Sequence, residues 1–166
     1  MGKTKTIIIS IIIVLGFVGL MLWGRSSQTT GALQNPGEIS SLSALEKLYD
    51  FGTISMKNGL VDHVFRVTNS SDKDILVKKI STSCMCTNVY IESIGGEKGP
   101  CGMEGHGGYV PPANETIRTG ESRELKVVYD PNAHGPAGVG AINRFIYLTD
   151  EFGDTLQLEI KAVVTP

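Results

Sequence analysis

Three side chains able to do sulfur chemistry sit close together: Cys84, Cys86 and Cys101. Cys84-Met85-Cys86 follows a β-like run, Ile75 to Ser83, and Cys101 lies in a Gly-rich segment further on. Thiolates are nucleophiles and soft metal ligands, so the choices are a cross-link, a metal site or thiol exchange. On an extended strand residues i and i+2 point the same way, so Cys84 and Cys86 share a face. A disulfide wants Cα atoms ~4.4–6.8 Å apart, and an i,i+2 pair on a straight strand lies at the far end of that range. A direct bond therefore needs a bend. Cys101 is the better partner for either cysteine, closing a loop of ~15 residues worth ~3 kcal/mol by the chain-entropy estimate. All three are disulfide candidates, and the odd count leaves one thiol over.

The metal alternative takes thiolates from Cys84, Cys86 and Cys101, a thioether from Met85 or Met103, and the imidazole of His106. Such a set suits Cu(I), or Zn(II) in a Cys3His arrangement. Glycines around Cys101 and His106 would let the segment fold over an ion. Cys-x-Cys is a weaker metal spacing than paired Cys-x-x-Cys motifs. Thiol–disulfide exchange has less support, because the chain offers neither Cys-x-x-Cys nor a helix N-terminus to favour a thiolate. His63 reads as a packed core histidine beside Phe65. His134 reads as a turn residue, able to join His106 only if the two Gly-rich loops meet. No Gly-x-Ser-x-Gly elbow, His-Glu-x-x-His or P-loop is present, so no catalytic residue and no enzyme activity is expected.

The elements that must position these groups read as strands. Leu48 to Ile54 begins the series, and Leu60 to Asn69 follows with Val61, His63, Phe65 and Val67 on one face. Asn69 to Asp72 is a turn. Ile75 to Ser83 follows and is expected to continue into Asn88 to Ile91. Glu124 to Tyr129 and Ala141 to Leu148 come next, and Asp150 to Asp154 turns the chain. Thr155 to Val164 closes the domain with Leu156, Leu158, Ile160, Ala162 and Val164 on one face. Short strands at this spacing predict an all-β, antiparallel β-sandwich. A short helical turn is expected at Ser41 to Leu48. Residues 92–120 read as a long connection, the kind that carries function, and Asp130 to Gly140 as a second.

Ahead of this domain, Ile7 to Trp23 is an apolar run that spans ~25 Å as a helix, near the lower limit for a hydrocarbon core of ~30 Å. Lys3 and Lys5 precede it and Arg25 follows, which keeps the N-terminus cytoplasmic. The run is longer than a signal h-region and ends in Trp23-Gly24-Arg25, a poor cleavage site, so an uncleaved anchor is favoured over a removed signal. The chain of 166 residues thus divides into residues 1–25 (cytoplasmic tip and transmembrane helix), 26–43 (linker) and 44–166 (β-sandwich). Lys3, Lys5 and Arg25 account for three of the 15 basic residues; the other 12 face 17 acidic ones, a net charge near −5. That balance gives no basic footprint for nucleic acid.

The order Tyr-Asp-Phe-Gly-Thr-Ile (49–54), Val-Asp-His-Val-Phe-Arg-Val-Thr-Asn (61–69), Ile-Ser-Thr-Ser-Cys-Met-Cys-Thr (80–87) and Thr-Gly-Glu (119–121) carries a likeness. It resembles a bacterial secreted domain-of-unknown-function family with a Ser-Cys-Gly-Cys-Thr motif. That resemblance implies an immunoglobulin-like sandwich related to ASH/HYDIN-like domains, over roughly residues 48–164. Met85 stands where the family has glycine, and the 92–120 segment is longer than usual. The resemblance implies export and a fold but no activity. The expected function is a membrane-anchored extracytoplasmic binding or structural module. It would be held in the cell membrane by residues 7–23 and would meet another extracytoplasmic protein through the 92–110 loop. The alternative is a Cu(I)- or Zn(II)-binding protein.

Overall fold

The computed structural model describes residues 41–105 and 112–166, which belong to one compact unit. The expected membrane helix, the linker up to residue 40 and His106 lie outside the described residues. Among the described residues no helix is long and apolar enough to cross a membrane.

Among the described residues ten strands form two sheets. They are β1 (Leu42–Ala44), β2 (Leu48–Ser55), β3 (Val61–Asn69), β4 (Ile75–Thr82), β5 (Thr87–Ser93), β6 (Gly96–Cys101), β7 (Glu115–Ile117), β8 (Ser122–Tyr129), β9 (Gly140–Asp150) and β10 (Thr155–Thr165). One sheet has the order β1-β3-β8-β5-β6, the other β2-β10-β9-β4-β7. Period-two alternation produces the layered core, because every second side chain of a strand faces the opposite sheet. Phe65, Val67, Leu125, Val127 and Tyr129 come from the first sheet; Ile80, Ile146, Leu148, Leu158 and Ile160 come from the second, and all are buried. The described residues of the domain form a β-sandwich.

Several local expectations change. The pairing is antiparallel except at one edge, where β2 runs parallel to β10. Residues 42–44 form a strand against β3, not a helical turn, with Leu42 buried at its start. The segment 92–120 is not a single open connection. It holds the end of β5, a hairpin to β6 and the short β7. The expected run from Ile75 through Ile91 is broken at Ser83–Cys86, so that β4 and β5 belong to different sheets. His63 does share a face with Val61, Phe65 and Val67. It is half-buried, stacks on Tyr49 at 3.6 Å and bonds Glu46 at 2.8 Å.

The turn after β3 shows how a polar residue earns a core position. Asn69 is fully buried, and its side-chain amide donates to the carbonyls of Lys73 and Ile117 while its Oδ1 accepts from Ser71. A buried amide with every group partnered fixes the exit from β3, its hydrogen bonds offsetting the cost of desolvation.

Candidate sulfur site

The crossover between sheets builds the site. Thr82, at the end of β4, turns its hydroxyl inward and donates to the carbonyls of Cys84 and Thr87. The Thr87 amide returns to the Cys84 carbonyl at 3.2 Å, closing a tight turn. This is the bend that a direct Cys84–Cys86 bond requires, and the two cysteines are joined, with Cα atoms 5.2 Å apart. The turn is tied down on both sides. Ser83 exchanges hydrogen bonds with Phe145 of β9, and the Cys86 carbonyl accepts from the Asp130 amide at the end of β8.

Two further residues converge on the sulfurs. His134 follows β8 in the loop Asp130–Gly140, which is shaped by Asp130 accepting from the Asn132 amide and by Asn132 donating to the Met56 carbonyl. Gly135, at φ +54, lets the chain reverse just after the histidine. Nε2 of His134 lies 3.2 Å from Cys84 Sγ. Arg144 projects from β9, and its Nε lies 3.2 Å from Cys86 Sγ. A disulfide sulfur carries no proton, so the nitrogens are the donors in both contacts. The Cys86 amide adds a third donor to Cys84 Sγ at 3.3 Å. Three N–H groups aimed at two sulfurs, one of them on a permanent cation, make the electropositive setting that a helix N-terminus gives elsewhere.

Exposure differs along the turn. Cys86 is 1% exposed and Cys84 9%, while Met85 between them stands out at 55%. His134 is exposed and Arg144 half-buried. Below them Tyr129 is buried, and desolvation pushes its phenol up, with Arg144 pulling the other way and Asp130 adding to the rise.

A bond between residues two apart closes a very small loop. The chain-entropy estimate gives it about 1.5 kcal/mol, half of what a bond to Cys101 would give. As a staple it does little. Cys101 bonds to neither cysteine and remains a free, buried thiol opposite Val89 on β5, pushed up by desolvation. The bond to Cys101 favoured by loop length does not form. Met103 lies on the loop after β6, half-buried. Cys84, Cys86 and His134 present donor atoms all within 4.8 Å of one another, a group that could hold a metal ion. Cys101 is not part of it. Sequence pattern alone marks His134 as a turn residue and gives no sign of Arg144. The signal available for His134 was its place in the second Gly/Pro-rich loop.

A family model described as "Protein of unknown function (DUF1573)" matches residues 42–100, which include the cysteine turn and exclude His134 and Arg144. No curated protein matches the chain. Among solved structures, a protein of unknown function from Porphyromonas gingivalis W83 superposes with a TM-score of 0.54 at 12% identity. The match covers 78% of this chain and 51% of that one, so the chain spans about half of that protein's length. A family 123 glycoside hydrolase from Clostridium perfringens gives 0.49 at 8% identity, over 72% of this chain and 23% of that one. The Pseudomonas aeruginosa CupB2 chaperone gives 0.39 at 11%, over 74% and 55%. At these identities only the first likeness bears on this chain, and it concerns the fold: a β-sandwich.

Proposed function

We propose that the chain is a membrane-anchored, extracytoplasmic, immunoglobulin-like module that binds a soft metal ion, Cu(I), at Cys84, Cys86 and His134. The observation that carries this reading is the approach of two sulfurs and one imidazole nitrogen to within 4.8 Å of one another. Disulfide sulfurs are poor ligands, so the ion enters the reduced pair. Two thiolates and an imidazole satisfy Cu(I), whereas a structural Zn(II) site wants four protein ligands. A Cu(I) dithiolate is anionic, and Arg144 beside Cys86 offsets that charge. The anchor is the apolar run Ile7 to Trp23, whose flanking lysines favour a cytoplasmic N-terminus and an outward domain.

The test uses the full-length chain in detergent, reduced anaerobically and titrated with Cu(I) against a chromophoric Cu(I) chelator. One ion per chain is expected, lost in Cys84→Ser and Cys86→Ser. Binding should be about tenfold or more weaker in His134→Ala and unchanged in Cys101→Ser. Uptake that persists in Cys86→Ser refutes the assignment.

A further inference from the structure

Beyond metal binding, we infer that the Cys84–Cys86 bond is a working disulfide that oxidises a dithiol of a partner polypeptide. The inference stands whether or not the site takes copper.

Four observations combine. The bond joins residues only two apart, so it constrains the unfolded chain little and has small value as a staple. The two residues are unequal: Cys84 is 9% exposed and Cys86 1%. The buried sulfur touches a guanidinium N–H of Arg144 at 3.2 Å. Cys84 Sγ touches Nε2 of the exposed His134 at 3.2 Å. In exchange, the incoming thiolate attacks one sulfur and negative charge develops on the other, so a cation next to the departing sulfur speeds the step.

The geometry assigns the roles. A partner thiolate attacks Cys84 Sγ; the Cys84–Cys86 bond breaks, and its electron pair goes to Cys86 Sγ, where Arg144 stabilises the thiolate. The partner's second thiolate then attacks its own sulfur in the mixed disulfide, expelling Cys84. Two electrons have moved from the partner to this chain. The partner leaves with a disulfide, and Cys84 and Cys86 end as thiols carrying the two protons that the partner's thiols gave up. Exposed Met85 beside the attacked sulfur is an apolar contact for the incoming chain. Cys101, buried and apart from the pair, takes no part.

The experiment uses the full-length oxidised chain in detergent with a chelator present, so that metal plays no role, and a synthetic peptide bearing two cysteines as the reductant. Mass spectrometry follows loss of the bond and gain of the peptide disulfide. Wild type should transfer its disulfide stoichiometrically, and Arg144→Gln should do so about tenfold more slowly with an unchanged melting temperature. In separate trapping reactions, reduced Cys86→Ser treated with an oxidised monothiol peptide should form a mixed disulfide at Cys84. Cys84→Ser, whose remaining sulfur is sealed, should form about tenfold less. A bond that resists excess dithiol, equal trapping by the two single variants, or an Arg144→Gln rate equal to wild type overturns the inference. Failure of copper binding leaves these readouts untouched.

Discussion

Reducing Cys84–Cys86 should leave the domain folded. The cross-link closes a loop between residues two apart, and the chain-entropy estimate gives it about 1.5 kcal/mol. The hydrogen bonds that define the turn survive reduction: Thr82 to the Cys84 carbonyl, the Thr87 amide to the same carbonyl, and the Asp130 amide to the Cys86 carbonyl. Arg144 and His134 keep sulfur acceptors after reduction, because a thiol sulfur still accepts a hydrogen bond. The net loss is therefore about 1.5 kcal/mol at most. At about 4 °C per kcal/mol for a domain of this size, the melting temperature should fall by about 6 °C or less. Thermal melts by circular dichroism, with and without a phosphine reductant, measure the shift. Cys101 is already a free thiol, so the reductant acts on one bond only. A fall of more than about 15 °C, or unfolding at room temperature, would mean that the bond is a structural clamp and the reasoning from loop size is wrong.

Two further outcomes concern the framework. Glu115 is buried between Lys98 at 2.8 Å and Arg123 at 3.1 Å. Burial works to raise its carboxyl, but hydrogen bonds from Lys98, Ser93 and Arg123 outweigh it and hold the group below its ordinary 4.5. A depressed carboxyl stabilises the fold above that ordinary value and loses the contribution as pH falls through the lower, folded value. Wild-type stability should therefore drop on acidification below about pH 4.5, and Glu115→Gln should flatten that dependence in denaturant titrations across pH. Leu158 is fully buried on β10 between two neighbouring strands, so Leu158→Ala should cost about 2–5 kcal/mol, read as a lower denaturant midpoint, more than reduction of the disulfide does.

Alternation made some elements legible. β10 carries Leu156, Leu158, Ile160, Ala162 and Val164 on one face, and all five are buried; β8 does the same with Leu125, Val127 and Tyr129. The switch of sheets between β4 and β5 was not legible. Residues 83–87 contain no glycine, proline, asparagine or aspartate to announce a turn. What bends the chain is the buried Thr82 hydroxyl together with anchors from β8 and β9, and those anchors are non-local. β1 was hidden because a three-residue strand in a serine-rich stretch has too little length to show a period. Within the site, the cysteine pair announced itself. Its neighbours did not, because His134 is 50 residues from Cys84 and Arg144 is 58 from Cys86. Arg144 sits on a strand of ordinary pattern, and only the register of β9 against β4 carries it to the sulfurs.

The parallel pairing of β2 with β10 has a mechanical consequence. Leu48 lies opposite Glu159, and Ser55 lies opposite Thr165, so the two strands advance in the same direction. Tension applied between Leu48 and Thr165 pulls the strands lengthwise past each other. Their rungs must then rupture together rather than unzip one by one, which makes this edge the stiff seam of the domain under load.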